Sequence, residues 1–352
     1  MAQARSTQVS LEDTPYYHCT CRCVRRAFLW GTDHLTAKDY SHRKQWVIDR
    51  LATLTQVFAI EVCAYAVMSN HYHVVVKINR EQALQWNDTD VIHRWQQLFG
   101  TPVLVQQYMR GQLTSQAAKE QAQATIEKWR RRLYDLSWFM RCFNEHLARR
   151  ANKEDQCRGR FWEGRFSSQA LLDEAGLLTC MAYVDLNPIR AKMAETPEMS
   201  DFTSIQQRIR KYHQRNQSTS RKGQKKKRSF RASARSNTIV AQSEHLTLAP
   251  FKTRHNDHKD PIPFSLRDYL ELVDWSGRAI RDDKRGFIDN TIPPILNRLN
   301  IDPTQWCEYH QRRGPRFSHA VGHLSQLREY AHRSGKQWIA GIRASEQLFQ
   351  IS

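Results

Sequence analysis

Long apolar runs are missing from this 352-residue chain: none approaches the roughly 18–20 residues that a membrane helix requires. The opening MAQARSTQVSLEDT has no apolar core of the kind a secretion signal carries. Paired-cysteine signatures are missing as well. No Cys-x-x-Cys occurs, and eight cysteines without an export segment point to reduced thiols in a cytoplasm rather than a disulfide scaffold. Acidic side chains are scarce, 35 against 54 Lys and Arg, which leaves a net charge of +19. A field of that size favours a polyanionic partner, and nucleic acid comes before membrane because no amphipathic anchor is evident. Between Phe202 and Ser243 there is no acid at all, while RKGQKKKRSFRASAR alone brings eight basic residues. That stretch reads as a phosphate-seeking linker, disordered when free, with Lys225, Lys226, Lys227 and Arg228 as nucleic-acid contacts.

Enough apolar residues are present, 40%, for one sizeable core and a smaller second domain. YYHCTCRCV (16–24) alternates with period two, so a strand is expected. Its three alternating cysteines beside His18 do not make a zinc site, because strand residues two apart cannot wrap a tetrahedral ion. Residues 40–55 show helical spacing, and 57–67 and 71–78 form a plausible antiparallel pair across Met68-Ser69-Asn70. From 81 to 150 the pattern is helical. GRFWEGRF (159–166) suggests a hairpin or loop leading into a strand, and its arginines Arg160 and Arg165 beside Trp162, like Arg22, Arg25 and Arg26 after the first strand, mix charge with stacking surface suited to unpaired bases. Asp173 is placed to cap a helix that starts at Glu174 and must end or kink at Asn187-Pro188. Further helices are expected at 265–274, 294–299 and 318–333.

His71 and His73 lie two apart on the third expected strand, so they share a face while Tyr72 points the other way. Two adjacent imidazoles can offer cis ligands to one divalent ion and leave its shell open to phosphate oxygens and water. Tyr183 and Asn187 are four apart on the later helix, one turn from each other. Asn187 supplies a hard carbonyl oxygen, and Tyr183 a phenol that can attack phosphorus. His71 and His73 alone would read as half-exposed polar residues, and Tyr183 and Asn187 alone as a core tyrosine and a helix-ending Asn-Pro.

YAVMSNHYHVVV resembles the His-hydrophobic-His strand of the HUH nuclease superfamily, and GRFWEGRF followed by AYVDLNPIRA resembles its single-tyrosine transposases, in particular the REP-associated branch. The resemblance runs from about residue 16 to 193, with Tyr72 in place of an aliphatic residue and an expanded stretch between Arg80 and Arg141. It implies an α+β fold: a ferredoxin-like antiparallel sheet carrying the histidines, with the tyrosine helix across it. In outline the expected organisation is a polar leader (1–15), a catalytic domain (16–212) with a helical insertion at about 81–140, a basic linker (213–260) and a small, mainly helical C-terminal domain (261–352). The implied activity is a bacterial cytoplasmic single-stranded DNA transposase acting on hairpin-forming repeats as a monomer or homodimer. His71, His73 and Asn187 would hold magnesium or manganese, and Tyr183 would form a 5′-phosphotyrosine. Two alternatives stay open: a domesticated, non-catalytic nucleic-acid-binding regulator, and a relaxase- or replication-initiator-like nickase, which usually shows a third histidine in a longer cluster.

Overall fold

In the computed structural model the described residues are 8–24, 29–32, 37–223 (side chains to 214), 246–253, 260–280, 292–311 and 317–349. Strand β1 (Tyr16–Arg22) leads to helix α1 (Arg43–Val57), then β2 (Ile60–Val67) and β3 (His71–Ile78). Helices α2 (Arg80–Gln85), α3 (Asp88–Gln96), α4 (Val103–Met109), α5 (Gln116–Arg132) and α6 (Leu136–Glu154) precede β4 (Ser167–Leu171). Next come α7 (Glu174–Asp185), α8 (Asn187–Arg190), α9 (Ser204–Gly223), α10 (Leu266–Ile280), α11 (Pro294–Arg298), α12 (Pro303–Gln311), β5 (Ala320–Val321), α13 (Leu324–Arg333) and α14 (Ile342–Leu348). The fold is α+β. Among the described residues no helix is long and apolar enough to cross a membrane.

One mixed sheet in the order β2-β3-β1-β4-β5 organises the chain. The first four strands pair antiparallel; β5 joins β4 in parallel, Ala170 opposite Ala320 and Leu171 opposite Val321. Helices cover both faces, which is why β2 reads IEVCAYAV with almost no polar alternation. Tyr72 faces α6, where its ring meets Phe143 edge-on at 5.0 Å and its hydroxyl donates to Asn144 Oδ1 at 2.6 Å. Helix α1 packs beside α6, joined to it by the buried Arg43, whose Nε donates to Glu154 at 2.7 Å. The histidine face of the sheet receives α7 instead. The helices between β3 and β4 close on their own aromatic stack, with Trp95 and Trp129 nearly parallel at 5.1 Å and Trp138 beside them.

The C-terminal residues share this core. Residues 318–333, expected to be one helix, instead supply strand β5 before α13 begins. Ala320 and Val321 are small and β-branched, and pairing with the edge of β4 outweighs their local helical spacing. Asp173 caps α7 by accepting from Gly176 N at 2.7 Å, and its other oxygen accepts from His323 N, also at 2.7 Å. Gly176 permits this close approach: a Cβ there would sit 2.5 Å from the Val321 carbonyl oxygen. On the opposite edge, a bulge between Val62 and Ala64 turns the Cys63 carbonyl toward Arg208 Nη2 (2.7 Å), and Ala249 N donates to Val62 O (2.8 Å). These contacts cover an edge that would otherwise be open to pairing with another chain.

Candidate active site on the histidine face

Period-two geometry places His18, Thr20 and Arg22 of β1 on the same face as His71 and His73 of β3 and as Ser167 and Gln169 of β4. The register makes this explicit: Thr20 lies opposite His73, Arg22 opposite His71, and Gln169 opposite His18. Tyr183 and Asn187 reach the same place from above. The helix breaks where Pro188 enters, so α7 ends at Asp185 and α8 starts at Asn187, yet Tyr183, Asn187 and Arg190 keep the i, i+4, i+7 spacing of one helical face. All of these residues line one cavity of about 1590 Å³. A small-molecule pocket typically occupies roughly 300–1000 Å³, so this one has room for a segment of polymer.

Asp185 anchors the helix that carries Tyr183. Its buried carboxylate accepts from Ser204 Oγ, from Ile205 N at 3.0 Å and from the Tyr269 hydroxyl. Burial raises its pKa to about 6, against the opposing pull of the Ser204 and Tyr269 hydrogen bonds. One residue therefore ties α7 to α9 and to α10 of the C-terminal segment.

Inside the cavity, Tyr183 is half-buried, its ring 5.8 Å from that of His73 and 6.4 Å from that of His18. The Arg190 guanidinium lies over the phenol at 4.0 Å and donates through Nη2 to Asn187 Oδ1 at 3.3 Å. His73 Nδ1 pairs with His18 Nε2 at 2.9 Å, and His71 Nδ1 with Asn70 Oδ1 at 2.8 Å. Burial holds His18 and His71 neutral, with pKa values lowered to about 4; His73 is pushed down furthest, by burial and then by its neighbouring imidazoles. Neutral imidazoles are the ligating form. Two buried atoms of this cavity have no hydrogen-bond partner: His73 Nε2 and Arg190 Nη1. Among the described residues no group of three or more His, Cys, Asp and Glu is disposed to hold a metal ion. A set made of His71, His73 and the amide oxygen of Asn187 falls outside that description, and its donor chemistry suits a hard or borderline divalent cation.

The structure thus brings together His71, His73, Tyr183, Asn187 and Arg22 of the residues singled out from sequence. It separates others from them. Arg160 and Arg165 are exposed on the loop before β4 and do not line the cavity. Trp162 packs on the other face of the sheet, edge-on to Tyr72 at 5.6 Å, with its indole N–H donating to Asn144 O at 2.9 Å. Arg25, Arg26, Lys225, Lys226, Lys227 and Arg228 lie outside the described residues. His18, Gln169, Arg190 and Tyr309 belong to the cavity and were not singled out. Of these, Arg190 was legible as the i+7 partner of Tyr183; the other three depend on strand register and on the return of the C-terminal segment.

No family model and no curated protein matches this chain. Among solved structures, one of a REP-associated tyrosine transposase bound to a REP hairpin is similar over 59% of this chain and 86% of that chain, at a TM-score of 0.35 and 11% identity. A likeness at that level decides nothing about ancestry or chemistry.

Proposed function

We propose that this protein is a metal-dependent single-stranded DNA transferase of the HUH type, with Tyr183 as its nucleophile and hairpin-forming DNA as its substrate. The observation that carries the reading is the pair of unsatisfied buried atoms beside Tyr183. His73 Nε2 and Arg190 Nη1 are buried without hydrogen-bond partners, a ring nitrogen of the kind that ligates a cation and a cationic donor of the kind that binds an anion. A phosphodiester with its counter-cation supplies both. The strand order β2-β3-β1-β4, with α1 and α6 as crossovers on one face, supports a ferredoxin-like core of the kind such enzymes use.

A magnesium or manganese ion held by His71, His73 and Asn187 would supply Lewis-acid polarisation of a phosphate oxygen. The chain's own residues do the rest. Arg190 fixes the plane of the phenol and offers Nη1 to a non-bridging oxygen, where charge develops as phosphorus is attacked. Asp185 holds α7 in register, so the Tyr183 oxygen and the histidine face stay at a set separation. Tyr183 gives up its phenolic proton and forms the O–P bond. The P–O3′ bond breaks, and the departing 3′ oxygen takes up a proton. The products are a 5′-phosphotyrosine and a 3′-hydroxyl; attack by a second 3′-hydroxyl reverses the step and restores the phenol without a nucleotide cofactor.

The test is incubation of the protein with labelled single-stranded hairpin DNA and manganese, followed by denaturing electrophoresis. A covalent adduct that chelator prevents and Tyr183→Phe abolishes is expected. An adduct that survives Tyr183→Phe overturns the assignment of the nucleophile, and hairpin binding with no adduct under any metal turns the reading toward a non-catalytic regulator.

A further inference from the structure

We propose that His18 and Gln169 are positioning residues that set the tautomer of His73, so that its Nε2 faces the cavity as a bare lone pair. The inference rests on the reading of His73 as a ligand for its consequence, though not for its geometry.

The chain of hydrogen bonds starts at the C-terminal segment. The Ser318 carbonyl can only accept, so the Gln169 group facing it at 3.4 Å is the amide nitrogen. The Gln169 carbonyl oxygen is then the atom that meets His18 Nδ1, also at 3.4 Å. An amide oxygen can only accept, so His18 carries its proton on Nδ1. In a neutral imidazole the other nitrogen is then a lone pair, and His18 Nε2 accepts from His73 Nδ1 at 2.9 Å. His73 therefore holds its proton on Nδ1, and its buried Nε2 is left without a proton or a partner. The opposite assignment sets the lone pair of His18 Nδ1 against the Gln169 oxygen, two acceptors facing each other.

Packing reinforces the electronic argument. The His18 and His73 rings are nearly coplanar, 13° between planes with centroids 5.1 Å apart, as an in-plane N–H···N bond requires. Both are almost wholly buried, so neither ring can turn over without disturbing the other. His71 reaches the same state by a simpler route, through Asn70 Oδ1. The half-buried histidine takes its orienting partner from the adjacent residue, and the fully buried one takes it from two other strands. Outer partners of ligating histidines commonly tune affinity through this orienting effect.

The experiment uses metal-free full-length protein labelled with 15N-histidine and long-range 1H–15N correlation, with the His73 signals identified by their loss in His73→Gln. In the wild type, His73 and His18 should both show a protonated Nδ1 and an unprotonated Nε2. His18→Phe removes the acceptor and should shift His73 toward the Nε2-protonated form. His18→Gln, whose side-chain oxygen can reach the same point, should hold the wild-type pattern. Manganese affinity should fall roughly 10–100-fold in His18→Phe and stay within about threefold in His18→Gln. Gln169→Leu gives a second route should His18→Phe not fold, and predicts a mixture of His18 tautomers. A wild-type His73 protonated at Nε2, or a tautomer unchanged by both His18→Phe and Gln169→Leu, overturns the proposal. If the tautomers behave as stated but no variant binds manganese, the relay stands and the metal reading fails.

Discussion

Arg190 lies over Tyr183, its guanidinium carbon 4.0 Å from the ring centroid, while its Nη2 donates to Asn187 Oδ1. One cation thus touches both the proposed nucleophile and a proposed metal ligand, and keeps Nη1 unsatisfied. Its role is separable from binding. Arg190→Ala should slow adduct formation by about 10²–10³-fold in single-turnover experiments, the usual effect of removing one preorganised donor. Hairpin affinity should change far less, because Arg190 is one of 54 Lys and Arg side chains on a chain of charge +19. Equal losses in rate and affinity would place Arg190 in general DNA binding.

Stability should fall on mild acidification. His18, His71 and His310 have pKa values lowered to about 4 by burial, and His73 is lowered with them. Their unfolded forms take up protons below about 6.5, which the native forms resist, so the stability they contribute is present above that value and lost as pH falls toward 4. At 1.36 kcal/mol per unit this is on the order of 3 kcal/mol for each of His18, His71 and His310 taken separately. Asp185 acts in the other direction. Its pKa is raised from 3.8 to about 6, so its cost is full above 6 and fades as pH falls to about 4. Four histidines outweigh one carboxylate, and denaturant midpoints should drop between pH 7 and 5. Measured against Asp185→Asn, however, the wild type should gain over that window, since the histidine contributions cancel in the difference.

Gly176→Ala should loosen the C-terminal edge of the sheet. The added methyl would meet the Val321 backbone oxygen at 2.5 Å, with no flexible side chain to yield. A loss of about 1–3 kcal/mol is expected. Hydrogen exchange should show it first at Ala170, Leu172 and residues 319–323, where β4 and β5 join. Uniform destabilisation with that junction unchanged would contradict the packing described.

Trp162→Ala should cost stability and leave DNA binding nearly intact. Its indole is packed on Tyr72 and Phe161 and donates to Asn144 O, on the face away from the histidines. For a half-buried tryptophan the loss should be about 2 kcal/mol, below the 3–5 kcal/mol of a fully buried one. Hairpin affinity within about twofold of wild type is expected, since a stacked base is worth roughly 1–3 kcal/mol and its loss would show clearly.

Much of the site was legible in one dimension because it rests on local periods. A strand repeats every two residues, so His71 and His73 had to share a face and Tyr72 had to leave it. A helix repeats every 3.6, so Tyr183 and Asn187 had to stack, and Pro188 had to interrupt the helix beside them. Asp173 as a cap follows from the same local chemistry. The α+β class was an implication of the motif resemblance, and the strands and helices agree with it.

What only the tertiary structure decided is whatever depends on register between distant segments. His18 and His73 are 55 residues apart, and nothing local says that β1 lies between β3 and β4. Trp162 carries the composition of a base-stacking residue, yet the pairing of Cys23 with Trp162 delivers it to the opposite face. Residues 320–321 have helical spacing, but the open edge of β4 offers them a ladder. Asp185 looks like one more polar residue in a helix until Ser204 and Tyr269 close on it from 19 and 84 residues away. Local periods determine which way a side chain points; only long-range pairing and burial determine what it points at.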